Sequence, residues 1–135
     1  MLGTPTAQAM AQADAARPGC GRNLQGKERL QACRADVAFE PHSVRARLEY
    51  GWALVEARNY RESLAEFEAA LRLDPPNPEA QYGKAVSLEA AGAREDAIKS
   101  YQVVLRDDQI HVGALLGLGR SLGELGRYEE AVTTA

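Results

Sequence analysis

Aromatic residues are scarce in this chain: one tryptophan, two phenylalanines and five tyrosines make up 6% of 135 residues. Its interior must therefore be built mainly from alanine and leucine contacts, as where helices pack on helices. Cysteine is limited to Cys20 and Cys33, and histidine to His42 and His111. No Cys-x-x-Cys pair occurs, and the spacing matches no zinc ligand set, so neither a metal nor a cofactor is expected. No apolar run approaches the roughly 20 residues needed to cross a bilayer. Basic excess is absent as well: the net charge is −3 and the pI about 5.4. That leaves no electrostatic footprint for nucleic acid and no Lys/Arg cluster for an anionic membrane surface.

Catalytic constellations are lacking too. His42 adjoins Pro41 in a loop and His111 lies in a link, neither beside a cysteine or carboxylate at ligand spacing. The acidic pairs Glu95-Asp96, Asp107-Asp108 and Glu129-Glu130 fall at expected helix ends, where the first and last suit the positive end of a helix dipole. The glycines at 113, 117, 119, 123 and 126 are followed by no Lys-Ser/Thr and form no phosphate loop. No enzymatic activity is expected of this segment.

What the chain does have is a period. Gly51, Ala85 and Gly119 recur every 34 residues, as do Leu54, Leu88 and Leu122, then Ser63, Ala97 and Ala131, then Leu64, Ile98 and Val132. A fixed period of this length marks a stacked helical-hairpin repeat. The small columns permit close helix approach, with Leu54 expected near Phe67 and Leu88 near Tyr101. Arg58, Gly92 and Gly126 share a turn column in which glycine suits a helix C-terminal cap. Tyr60 and Tyr128 follow two residues later, where Arg94 breaks the column.

The pattern predicts helices over 27–39, 44–57, 60–73, 78–91, 94–107, 112–125 and from 128 onward. Asp74-Pro75-Pro76-Asn77 is the clearest breaker, because a residue before proline is pushed out of helical geometry. One all-α domain of stacked antiparallel hairpins follows.

These residues resemble the tetratricopeptide repeat family. Its pattern of an aromatic, Leu-Gly, Tyr, Ala, an aromatic and a closing Pro is met in part by each unit. The first reads Arg47, Tyr50-Gly51, Leu54, Ser63, Phe67 and Pro75. The second reads Gln81, Lys84-Ala85, Leu88, Ala97 and Tyr101, with Gln109 in place of proline. The third reads Leu115, Leu118-Gly119, Leu122 and Ala131, and stops before the aromatic. The resemblance implies a right-handed superhelix (a solenoid) with repeats at 44–77, 78–111 and a truncated 112–135. Running the register backwards places Leu30, Cys33, Val37 and Pro41 one period before Leu64, Phe67, Leu71 and Pro75. Residues 27–41 then form a degenerate leading half-repeat. A flexible or partly ordered segment at 1–26, interrupted by Pro18, Gly19 and Gly21, precedes it.

The resemblance also implies a site. In this family the first helix of each hairpin lines a concave groove, and the carried-over positions are Arg45, Leu48, Trp52, Val55 and Glu56, then Glu79, Tyr82, Val86, Glu89 and Ala90, then Gly113, Leu116, Arg120, Gly123 and Glu124. Leu48, Trp52, Tyr82, Val86 and Leu116 are expected to form an apolar strip with charged edges for an extended or helical peptide. A clamp for a C-terminal carboxylate is not expected, since Leu48/Trp52 and Leu116/Arg120 stand at its positions and only Arg120 could serve. An asparagine ladder is absent, because Glu49, Gly83 and Gly117 fill that column.

In the same register Cys33 takes the packed aromatic position, and Cys20 takes the place of Leu54 in the preceding helix. A disulfide there would pin the degenerate segment at about 3 kcal/mol in the chain-entropy model; the alternative is two reduced cysteines, one of them in the core. The stretch from Cys20 to Pro41, with Arg29-Leu30 and Ala32-Cys33, resembles the leading segment of exported bacterial members. A periplasmic or secreted location is thus the expectation, with the cytoplasm as the alternative. Because Ala135 falls within the last helix, Leu115, Leu118, Leu122 and Val132 are expected to be partly exposed unless the protein continues or another surface covers them. The function expected is a non-catalytic scaffold for a protein partner. The alternatives are self-assembly through the C-terminal end, or a targeting domain of a larger enzyme.

Overall fold

The computed structural model describes Cys20 and residues 23–127, and all the regular structure among them is helical. Six helices follow in order: α1 Gly26–Phe39, α2 Val44–Glu56, α3 Tyr60–Leu73, α4 Pro78–Ala90, α5 Arg94–Asp107 and α6 Val112–Glu124. Each expected helix in this span is present with ends shifted by at most one residue. The helix expected from 128, and most of the 1–26 segment, lie outside the described residues.

Helix starts and stops explain the bounds. Ser43, Asn77 and His111 stand 34 apart, and each accepts a hydrogen bond from the backbone N–H three residues on: Ala46 at 3.1 Å, Ala80 at 2.9 Å and Ala114 at 3.0 Å. The acceptor of His111 is Nδ1, so this residue caps α6 rather than lying idle in a link. At the other end, Arg58, Gly92 and Gly126 all take positive φ, at 62°, 89° and 77°. The amide of the next residue reaches back to Leu54, Leu88 and Leu122 carbonyls at 2.8, 2.9 and 2.8 Å. Such a left-handed cap satisfies the orphan carbonyls and turns the chain into the second helix.

Every helix packs on its chain neighbours, and the first helices also touch directly, α2 on α4 and α4 on α6. Aromatic rings fill glycine gaps in this stack. A Cβ at Gly83 would lie 2.3 Å from the Phe67 ring, and one at Gly117 would lie 2.2 Å from Tyr101. Both pairs are 16 residues apart. The same offset in the leading unit joins Cys33 to Glu49, with the Cys33 sulfur 3.7 Å from the Glu49 carbonyl oxygen. There the ring is replaced by a small side chain and the glycine by a residue with a Cβ, so the gap closes from both sides. Gly51 also faces Phe67, at 2.8 Å; its small size admits that ring as well as the neighbouring helix.

The core falls into three clusters. Leu54 packs with Cys20, Cys33, Ala46 and Tyr50, while Phe67 packs with Leu48, Ala70 and Ala80. Leu54 and Phe67, expected as partners, thus anchor adjacent clusters. Leu88 and Tyr101 do share one, with Ala85, Ala97 and Leu118.

Candidate functional site

The carried-over groove positions do not form one free apolar strip. Leu48 is only 8% exposed and packs beneath α4 against Phe67 and Ala80. It is a core residue, because the next first helix lies over it. One period on, Tyr82 is half-buried, and two periods on Leu116 is 59% exposed. A column of groove positions therefore changes role with the helix that follows it. Val55 and Val86 are half-buried against the core clusters. Leu118 and Leu122, expected to be partly exposed, are buried, whereas Val112 and Leu116 on the outer side of α6 are open; Leu115 is half-buried and Val132 lies outside the described residues.

Trp52 and Tyr82 are brought together. Their ring centroids are 5.9 Å apart and tilted by 44°, and Trp52 meets Phe67 edge-on at 4.9 Å. The indole Nε1 donates to Glu79 Oε1 at 2.9 Å. Tyr82 continues the array to Tyr101 at 6.2 Å and to the capping ring of His111 at 4.7 Å. Its hydroxyl end fits over Gly113, where an added Cβ would lie 2.4 Å from the oxygen.

The charged positions are mostly tied to one another. Arg45 pairs with Glu49 at 3.1 Å within one turn of α2. Arg120 grips Glu89 with two nitrogens, Nε at 2.9 Å and a terminal nitrogen at 3.1 Å. The same carboxylate accepts from the Tyr101 hydroxyl at 2.6 Å. Burial, reinforced by that hydrogen bond to a carboxylate, pushes the Tyr101 phenol well above its ordinary range. The Glu89 hydrogen bond likewise raises Arg120. Glu56 pairs with Arg29 and Glu124 with Arg94. Between the Glu89–Arg120 and Glu124–Arg94 pairs lies a hollow of about 270 Å³, lined by those four residues together with Val86 and Ala90.

Cys20 and Cys33 lie side by side, both buried, with Cα atoms 4.5 Å apart, inside the range a disulfide spans. The Cys20 amide also donates to the buried Asp36 carboxylate at 2.9 Å. No group of three metal-ligating side chains occurs among the described residues, and none of the described helices is long and apolar enough to cross a membrane.

The sequence matches the tetratricopeptide repeat family model over residues 48–109 and again over 94–135. The chain belongs to the tetratricopeptide repeat family. Its solenoid architecture is the kind on which protein–protein interaction scaffolds are built. Among curated proteins it is similar to the TPR repeat-containing thioredoxin TTL4 of Arabidopsis thaliana, at 34% identity over 73 residues. Those residues are 54% of this chain and 11% of that protein. Among solved structures it resembles MamA 41-end from Desulfovibrio magneticus RS-1, with TM-score 0.75 and 16% identity over 94% of this chain and 66% of that one. MamA MSR-1 gives TM-score 0.71 and 18% identity over 79% and 62%. At such identities the likeness is one of fold. The chain thus spans just under two thirds of these structures and about a tenth of the plant relative.

Glu89 and Arg120 were expected as groove positions, but their pairing with each other and with Tyr101 was not, nor was the capping role of His111. The signal for His111 was present: it shares a 34-residue column with Ser43 and Asn77, two good capping residues, each three positions before an alanine.

Proposed function

We propose that this chain is a non-catalytic scaffold whose first-helix face binds a segment of a protein partner. The observation that carries the reading is the half-exposed Trp52–Tyr82 pair, which leads along α4 into the hollow over Val86 and Ala90. Tryptophan and tyrosine dominate binding hot spots because they bury large areas at small entropic cost. Arg45, Glu79, Glu89, Leu116 and Arg120 flank the path. The test is selection of a displayed peptide library on the wild-type chain, followed by affinity measurement on Val86→Lys and Tyr82→Ala variants with intact helical circular dichroism. Loss of binding by tenfold or more supports this face; unchanged affinity moves the site elsewhere.

A second reading, self-association through the C-terminal end, is favoured by the exposure of Val112 and Leu116 on α6. Sedimentation of wild type against Leu116→Lys over a hundredfold concentration range decides it. The similarity to a much longer thioredoxin supports repeats of this kind serving as one module of a larger enzyme. We further infer that Cys20 and Cys33 are oxidised to a disulfide and that the protein works in an oxidising compartment, periplasmic or extracellular, since such bonds persist there. Thiol alkylation and mass measurement of protein isolated from its native compartment test this; two free thiols would overturn it.

A further inference from the structure

The carboxylates of the first helices α2, α4 and α6 differ in one respect. Glu49, Glu56, Glu89 and Glu124 each have a described arginine within ion-pairing distance, namely Arg45, Arg29, Arg120 and Arg94. Glu79 has none among the described residues; its hydrogen-bond partner is the neutral indole N–H of Trp52, which donates to Oε1. Glu79 is exposed in the first turn of α4 and stands beside the aromatic platform of Trp52 and Tyr82.

An uncompensated carboxylate next to two aromatic rings is a receptor for a cation. The ring faces attract a guanidinium or ammonium through their quadrupoles, tryptophan most strongly, and the carboxylate adds a charge-assisted hydrogen bond. The indole bond matters here because it holds Oε1 in place while Oε2 stays open. Next to this corner, Tyr82 leads to Val86 and Ala90, four and eight residues along α4. At 1.5 Å per residue that is about 6–12 Å, which an extended strand covers in two to four residues. Val86 and Ala90 supply the apolar part of the hollow there, and both charged pairs that line it are already neutralised.

We propose that the partner segment is an extended peptide carrying an arginine or lysine, which docks on Trp52, Tyr82 and Glu79, with an aliphatic residue two to four positions away that seats over Val86 and Ala90. This rests on the first-helix face being the binding site and specifies its ligand chemistry.

Trp52 is the sole tryptophan, so its fluorescence reports occupancy directly. The probes are capped hexapeptides of alanine with arginine second and leucine fifth, and the same peptide with citrulline for arginine, which keeps shape and removes charge. The wild-type chain is expected to bind the arginine peptide about five- to tenfold more tightly than the citrulline peptide, as for one cation–aromatic–carboxylate contact worth roughly 1–1.4 kcal/mol. Glu79→Gln retains an acceptor for the indole and should abolish that difference. Glu95→Gln, which removes a carboxylate already paired with Arg127 and carried on the second helix α5 outside the groove positions, should leave it intact. Equal binding of the two peptides to the wild type overturns the cation site while leaving the face as a peptide site. Equal losses in Glu79→Gln and Glu95→Gln also overturn it, as general attraction rather than a site. No response of Trp52, and none in the amide resonances of residues 79–90, to either peptide at millimolar concentration overturns the face itself. Circular dichroism of both variants confirms that each result is read on folded protein.

Discussion

The α2/α4 and α4/α6 junctions share one packing frame and differ in their polar chemistry. In each, an aromatic ring from the intervening second helix enters a glycine gap, Phe67 at Gly83 and Tyr101 at Gly117. On the open side the first junction carries an indole–carboxylate bond, Trp52 to Glu79. The second carries a bidentate ion pair, Arg120 to Glu89, locked by the Tyr101 hydroxyl. Inside the first junction Ser63 and Ser87 share a hydrogen bond of 2.8 Å. The corresponding positions in the second are Ala97 and Ser121, and the Ser121 hydroxyl is buried without a partner. Close-packed interiors do not yield, so volumes must repeat from unit to unit. Groups at a wet surface are under no such constraint, and their charges are free to change.

The largest expected effect attacks the shared frame. Phe67→Ala empties a fully buried ring site and should cost about 3–5 kcal/mol in urea unfolding. Gly83→Ala and Gly117→Ala should each cost about 1–3 kcal/mol by overpacking. A neutral result at either glycine would break the equivalence of the two junctions.

Tyr101 separates the junctions by pH. Its folded-state pKa lies above the ordinary value of about 10, so its stabilising contribution is complete below that pH and is lost as pH rises towards the folded value. Tyr101→Phe should therefore flatten the loss of stability above pH 10 by about 1.4 kcal/mol per pH unit. Absorbance titration near 295 nm should show one tyrosine still protonated when the exposed ones have ionised.

The serine column should give opposite signs. Ser63 donates to the Tyr60 carbonyl at 2.8 Å, which leaves Ser87 to donate to Ser63. Ser87→Ala should destabilise by about 1 kcal/mol, whereas Ser121→Ala removes an unsatisfied buried hydroxyl and should stabilise by a similar amount. Thermal melts of both variants under one condition make the contrast direct. At the caps, His111→Ala should cost about 1 kcal/mol and His111→Asn should hold stability near wild type. The smallest effect is expected at the turn column. Arg58 adopts the left-handed conformation that its counterparts fill with glycine, so Arg58→Gly should gain up to about 1 kcal/mol, read from the unfolding midpoint.

Much of this frame was legible beforehand, for a specific reason. Leu54/Leu88/Leu122 and Arg58/Gly92/Gly126 recur because each hairpin presents the same face to its neighbour, so the helix bounds fell within one residue. Trp52 and Tyr82 were expected on one face by resemblance, and they do adjoin. Leu48 was misjudged as open because its burial depends on α4, not on its own helix. The pairing of Glu89 with Arg120, 31 residues away, had no local signature either.

The sequence by itself determined the all-helical class, the 34-residue period, the turn positions and the membership in a repeat family. Each of these follows from local propensity and from a pattern imposed by identical neighbours. Only the tertiary structure decided which groove positions are covered, which carboxylates are neutralised, and that Glu79 is left without a cation beside Trp52 and Tyr82. Those outcomes depend on how far side chains on successive helices reach across a gap of about 8–10 Å, and the order of residues along the chain does not encode that reach.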